Sequence, residues 1–162
     1  RTMNYLGRLA LGTLLALGVA QTAMAVDEMN LSTGGTMAGK PLAVHGYDPV
    51  AYFTDGKPVM GDAKHTAVHN GAAYYFASDD HKKTFEANPV RYAPVFGGFC
   101  AFGVALGKKF DGSPQYWTVK NDKLYLNLNA DISRKFAEDV DGNIKKADKN
   151  WTTIEHKAAG SL

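Results

Sequence analysis

The sequence predicts an α+β domain: local antiparallel hairpins forming a small sheet, a short middle helix, and helices at the C-terminal end. Three observations carry this. Asn70-Gly71 and Asn121-Asp122 each sit between runs rich in β-branched and aromatic residues, the pattern of a tight hairpin. Ser78-Asp79-Asp80 followed by His81 to Phe85 reads as a capped helix start. From Asp131 onward the apolar period lengthens, with Ile132, Phe136 and Val140 on one face and Ile144, Ala147 and Trp151 continuing it. Strands grouped in hairpins and helices grouped elsewhere make an α+β class, with no parallel strand-crossover-strand unit expected.

Taken in order, residues 1–25 have the pattern of a secretory signal. Arg1 and Arg8 lie in a basic start, Leu9 to Ala20 is apolar, and Ala23-Met24-Ala25 offers a small-residue cleavage site. The apolar run is too short to span a bilayer, so cleavage after Ala25 and a periplasmic or secreted location are expected, with no membrane attachment afterwards. Arg1 and Arg8 are the only charged residues of that segment. Without them, 18 basic side chains become equal in number to the 16 acidic ones. A neutral chain without a basic cluster argues against nucleic acid as partner.

Residues 26–40 are small and polar and read as a flexible linker, with the domain running from 41 to 154 and a frayed tail at 155–162. Val50 to Phe53 reads as a strand or one helical turn, stopped by Asp55-Gly56. Lys64 to Val68 and Ala72 to Ala77 form the first hairpin, on which His65 and His69 read as ordinary strand residues. Asn88-Pro89 ends the middle helix. Phe99 to Ala105 reads as a further strand, Tyr116 to Asn127 as the second hairpin, and Asp131 as the cap of the terminal helices, which break at Asp141-Gly142.

The chain has one cysteine, Cys100, which an exported protein cannot use for an internal disulfide. Gly97-Gly98 immediately before it frees the backbone to aim its side chain. Thiolate and imidazole together suit copper or zinc, so Cys100, His81 and His45 are the candidate metal ligands. The alternative for Cys100 is a small buried side chain. An enzyme would combine Cys100 with His81 and Asp79 or Asp80, but those acids share the histidine's own helical turn and are poorly placed to orient it. No catalytic residue is assigned. Tyr47, Tyr52, Tyr74, Tyr75, Phe76, Phe96, Phe99 and Phe102 are read as core, with an aromatic-lined ligand pocket as the sharper option.

Three segments carry a resemblance: Gly46-Tyr47-Asp48-Pro49-Val50-Ala51-Tyr52-Phe53, Tyr75-Phe76-Ala77-Ser78, and Phe85 through Pro94. They are similar to the YHS domain. With Gly97 to Ala101, Leu124 to Asn127 and Trp151 added, the chain resembles the small exported bacterial branch of that family. The resemblance implies a metal-associated protein. In metal-handling members, cysteines at a treble-clef-like knuckle supply thiolates, and their positions fall here on Ala51, Ala77 and His81. Two of the three thiolates are therefore missing, and a tetrahedral thiolate zinc site cannot be built from this set. The expected function is a non-enzymatic copper- or zinc-binding accessory. The alternatives are a periplasmic interaction or scaffolding domain with a protein partner, or a small-ligand-binding domain without metal.

Overall fold

The computed structural model describes residues 26–162. The signal-like segment at 1–25 and its cleavage site lie outside the described residues. The expected α+β class is what the structure has. Short strands β1 (Leu31–Ser32) and β2 (Leu42–Ala43) precede helix α1 (Ala51–Thr54), a single turn. The first hairpin follows as β3 (Asp62–His69) and β4 (Ala72–Phe76). Its turn residues Asn70 and Gly71 both have positive φ, 49° and 77°, which matches the twist of the two strands. Next come α2 (Asp79–Ala87), α3 (Pro89–Tyr92) and α4 (Ala101–Ala105). The second hairpin is β5 (Ser113–Lys120) with β6 (Lys123–Asn127), turning through Asn121 and Asp122 at φ 52° and 57°. Helices α5 (Ala130–Glu138) and α6 (Val140–Ile154) close the chain.

The two hairpins and the middle helix fall where the sequence puts them. Ser78 Oγ accepts from His81 N at 3.1 Å, the capping bond its position calls for. Asn88 then caps α3, with Pro89 at its first position, where a missing N–H costs nothing.

Several expectations need correction. Phe99 to Ala105 is not a strand: Cys100 caps α4, and the apolar run is a buried helix. An apolar run of that length has no period that separates the two. The sheet does hold one parallel contact, Leu42 opposite Ala73, in the order β1-β2-β4-β3. Pairing so distant in sequence leaves no local signal. Asn129, not Asp131, caps α5, accepting from Ile132 N at 3.0 Å. The terminal break falls at Asp139, whose side chain accepts from Gly142 N at 2.9 Å and starts α6.

The stretch read as a linker is part of the fold. Leu31–Ser32 pairs with β2, and Asn30 N donates to Gly97 O at 2.9 Å. Gly97 has φ +62°, and a Cβ there would lie 1.7 Å from Glu28 O, so the approach of this segment requires glycine. The tail is tied down as well. Lys109 is 5 % exposed, and its Nζ donates to Asp27 O at 2.5 Å, Glu155 O at 2.8 Å and Lys157 O at 2.7 Å. Phe99 and Trp151 cover the ammonium, with ring centroids 5.2 and 5.1 Å away.

Apolar packing divides into two clusters that meet at β6. Leu124 and Leu126 face Val50, Tyr74, Phe76 and Phe85, while Tyr125 on the opposite face joins Phe96, Phe136 and Ile154. Alternation along one strand thus serves both cores. No helix among the described residues is long and apolar enough to cross a membrane.

Candidate functional site

Asp48 is the centre of the best-organised polar site. It follows Gly46-Tyr47 and precedes Pro49, and it is fully buried. Its Oδ1 accepts from Val50 N at 2.9 Å and Ala51 N at 3.3 Å, an Asx turn that starts α1. Its Oδ2 accepts from Ala77 N at 2.8 Å, just past the end of β4, and from His81 Nδ1–H at 2.6 Å on α2. One carboxylate therefore ties together three stretches of chain. Ala51, Ala77 and His81 are the positions aligned above with cysteine thiolates. Each directs a donor at Asp48.

The consequences for His81 follow from counting protons. Asp48 Oδ2 acts as acceptor, so Nδ1 carries a hydrogen, and in the neutral ring Nε2 keeps its lone pair. Near Nε2 lie Thr54 Oγ1 at 3.3 Å and Asp55 Oδ1 at 3.9 Å. Thr54 has a single hydroxyl proton, and its shortest contact is Asp55 Oδ1 at 2.8 Å. With the proton committed there, Nε2 has no strong donor of its own. The His81 side chain is 18 % exposed.

The other two candidate ligands have different partners. His45 is half exposed, and its Nε2 lies 2.7 Å from Asp111 Oδ1, which also accepts from Asn30 Nδ2 at 2.7 Å. Its backbone is left-handed, φ 50°, directly after Val44 at 52°; two non-glycine residues in that region mark local strain. Cys100 is fully buried. Its thiol donates to Asn127 Oδ1 at 3.5 Å, and Sγ accepts from Gly103 N at 3.4 Å. Burial pushes the thiol pKa up, against a smaller opposing effect of nearby backbone N–H groups. A thiol in these surroundings is held protonated and is a poor nucleophile. Asp48 pairs with His81, Asp111 with His45, and Asn127 with Cys100. Among the described residues no group of three or more His, Cys, Asp or Glu side chains converges as a metal cage.

Sequence reasoning named His81 but missed Asp48 and Thr54. The signal for Asp48 was present in Asp-Pro followed by an apolar helical turn, the pattern of a side chain capping its own downstream backbone. Its complete burial could not be read from that pattern.

No curated protein and no solved structure gives a significant match to the chain. Residues 50–95 match the family model described as YHS domain, a span that starts two residues after Asp48 and holds Ala51, Ala77 and His81.

Proposed function

We propose that this protein is an exported, non-enzymatic accessory that takes up a transition metal, copper or zinc, at His81 Nε2. The observation carrying this is the state of the imidazole: Nδ1 is clasped by a buried carboxylate at 2.6 Å, while Nε2 has only Thr54 Oγ1 at 3.3 Å and Asp55 Oδ1 at 3.9 Å beside it, in a side chain 18 % exposed. Metal-ligating histidines characteristically give their second ring nitrogen to such a carboxylate, which fixes the tautomer and makes the free nitrogen more basic.

The donor set defines what kind of ion site this is. One imidazole with one neighbouring carboxylate, Asp55, does not make a closed structural site, which takes four protein ligands. It fits an open, exchangeable site whose remaining positions belong to water or to a periplasmic partner protein. Imidazole suits copper and zinc, and mixed nitrogen and oxygen donors suit copper(II) in particular. The bound ion would supply a transferable charge. The chain supplies orientation through Asp48 and selectivity through the imidazole. Cys100 and His45 contribute to the fold in this proposal, Cys100 through Asn127 and His45 through Asp111.

Calorimetric titration of the processed protein with Cu²⁺ and Zn²⁺ tests it. One ion per chain is expected, with affinity reduced about tenfold or more in His81→Ala and kept in Cys100→Ser and His45→Ala. Undiminished binding in His81→Ala, or its loss in Cys100→Ser with the fold intact, would overturn the assignment.

A further inference from the structure

A second site lies away from His81. A cavity of about 370 Å³ opens where the tip of the first hairpin, α3, the segment after Val26 and the C-terminal end of α6 meet. That volume is within the range of small-molecule sites. Its apolar wall is made by Val90, Pro94, Val95 and Trp151.

Two features give it chemical character. Tyr74, which also lines it, is 1 % exposed, and its hydroxyl has no hydrogen-bond partner; the other such buried side-chain atom among the described residues is Asn127 Nδ2. Leaving a buried hydroxyl unpaired is costly, so this one marks a place where a partner belongs. Burial also pushes the Tyr74 pKa up, which keeps the hydroxyl a donor.

Two carboxylates, Glu28 and Glu155, and two permanent cations, Arg91 and Lys123, line the cavity together with His69. Glu28 and Glu155 are both engaged by His156, through Nδ1 at 2.5 Å and Nε2 at 3.2 Å. Lys123 pairs with no carboxylate among the described residues, and Arg91 reaches only the exposed Asp122 at 3.7 Å. One imidazolium offsets only one of these two carboxylates, and Lys123 and Arg91 are the two cations that outweigh the other.

We infer that this cavity binds a small organic anion, a carboxylate on an apolar or aromatic body, with Lys123 and Arg91 meeting the carboxylate and the Tyr74 hydroxyl donating to the guest. This goes beyond the metal proposal and shares no residue with it.

The test uses phenylacetate as probe, with phenylacetamide and 2-phenylethylamine as neutral and cationic controls, followed by ¹H–¹⁵N chemical shifts of the protein. Phenylacetate should bind saturably with shifts at Tyr74, Val90 and Trp151, and the two controls about tenfold more weakly or worse. Lys123→Gln and Arg91→Gln should each weaken phenylacetate severalfold. Tyr74→Phe should weaken it too while raising the unfolding midpoint of the free protein, because the variant loses an unpaired buried hydroxyl. Equal binding of all three probes, no saturable binding, or unchanged affinity in Tyr74→Phe would overturn the inference.

Discussion

Two buried charges hold this molecule together, and they differ in one respect. Asp48 gathers N–H donors from α1, the end of β4 and α2. Lys109 gathers carbonyl oxygens from the segment after Val26 and from the chain after α6. Each replaces lost hydration with several charge-assisted bonds, which is what makes burial of an ion tolerable. The Lys109 knot is closed, with three carbonyls below and two aromatic faces above. The Asp48 knot is less closed, because the ring it orients is 18 % exposed and its Nε2 has only the Thr54 hydroxyl, at 3.3 Å, within hydrogen-bond reach. A saturated polar cluster is architecture. One with a single weakly partnered atom is a place for chemistry.

Breaking the open knot should cost most. Asp48→Ala leaves three backbone N–H groups and an imidazole without their acceptor, a loss of about 3–5 kcal/mol measurable by urea unfolding. Asp48→Asn should be milder, since Oδ1 can still serve Val50 and Ala51. Lys109→Met should cost about 3 kcal/mol and should leave ion binding at His81 unchanged, which separates the two knots directly. Cys100→Ser should cost about 1–2 kcal/mol by placing a hydroxyl where a thiol is packed, again without effect on ion uptake.

The smallest effect concerns the tie between the ends of the described chain. The 2.5 Å hydrogen bond from His156 lowers the pKa of Glu28, and the same bond raises that of His156. The raised histidine contributes stability that is complete below its ordinary value of 6.5 and is lost as pH rises through the folded value. The lowered glutamate contributes above its ordinary value of 4.5 and loses that as pH falls through the folded value. The tie is therefore strongest in mildly acidic solution. In His156→Gln the unfolding midpoint should lose this dependence: its deficit against the parent is largest and constant between pH 4.5 and 6.5 and shrinks on either side as pH passes the folded values of Glu28 and His156.

How much of this could be read in the sequence depends on how local each feature is. Asn70-Gly71 and Asn121-Asp122 specify their turns within a few residues, and both hairpins were legible. Ser78 was legible as a cap because its bond reaches only three residues along. The helix beginning at Ala101 was not, since Phe99 to Ala105 is apolar throughout and carries no period. His81 was legible as a candidate through its residue type. Its qualification rests on Asp48, 33 positions earlier, and on a proton count at Thr54 that needs coordinates. Lys109 offered no signal at all, because a lysine in a polar loop looks the same whether it meets water or three carbonyls.

The most direct measurement is the long-range ¹H–¹⁵N spectrum of the five histidine rings, recorded on the free protein and during zinc addition. His81 alone should show a protonated Nδ1 with an unprotonated Nε2 held in one tautomer, and its Nε2 resonance should move first as zinc is added. A His81 ring with the reverse tautomer, or zinc shifts that begin at another histidine, would contradict it.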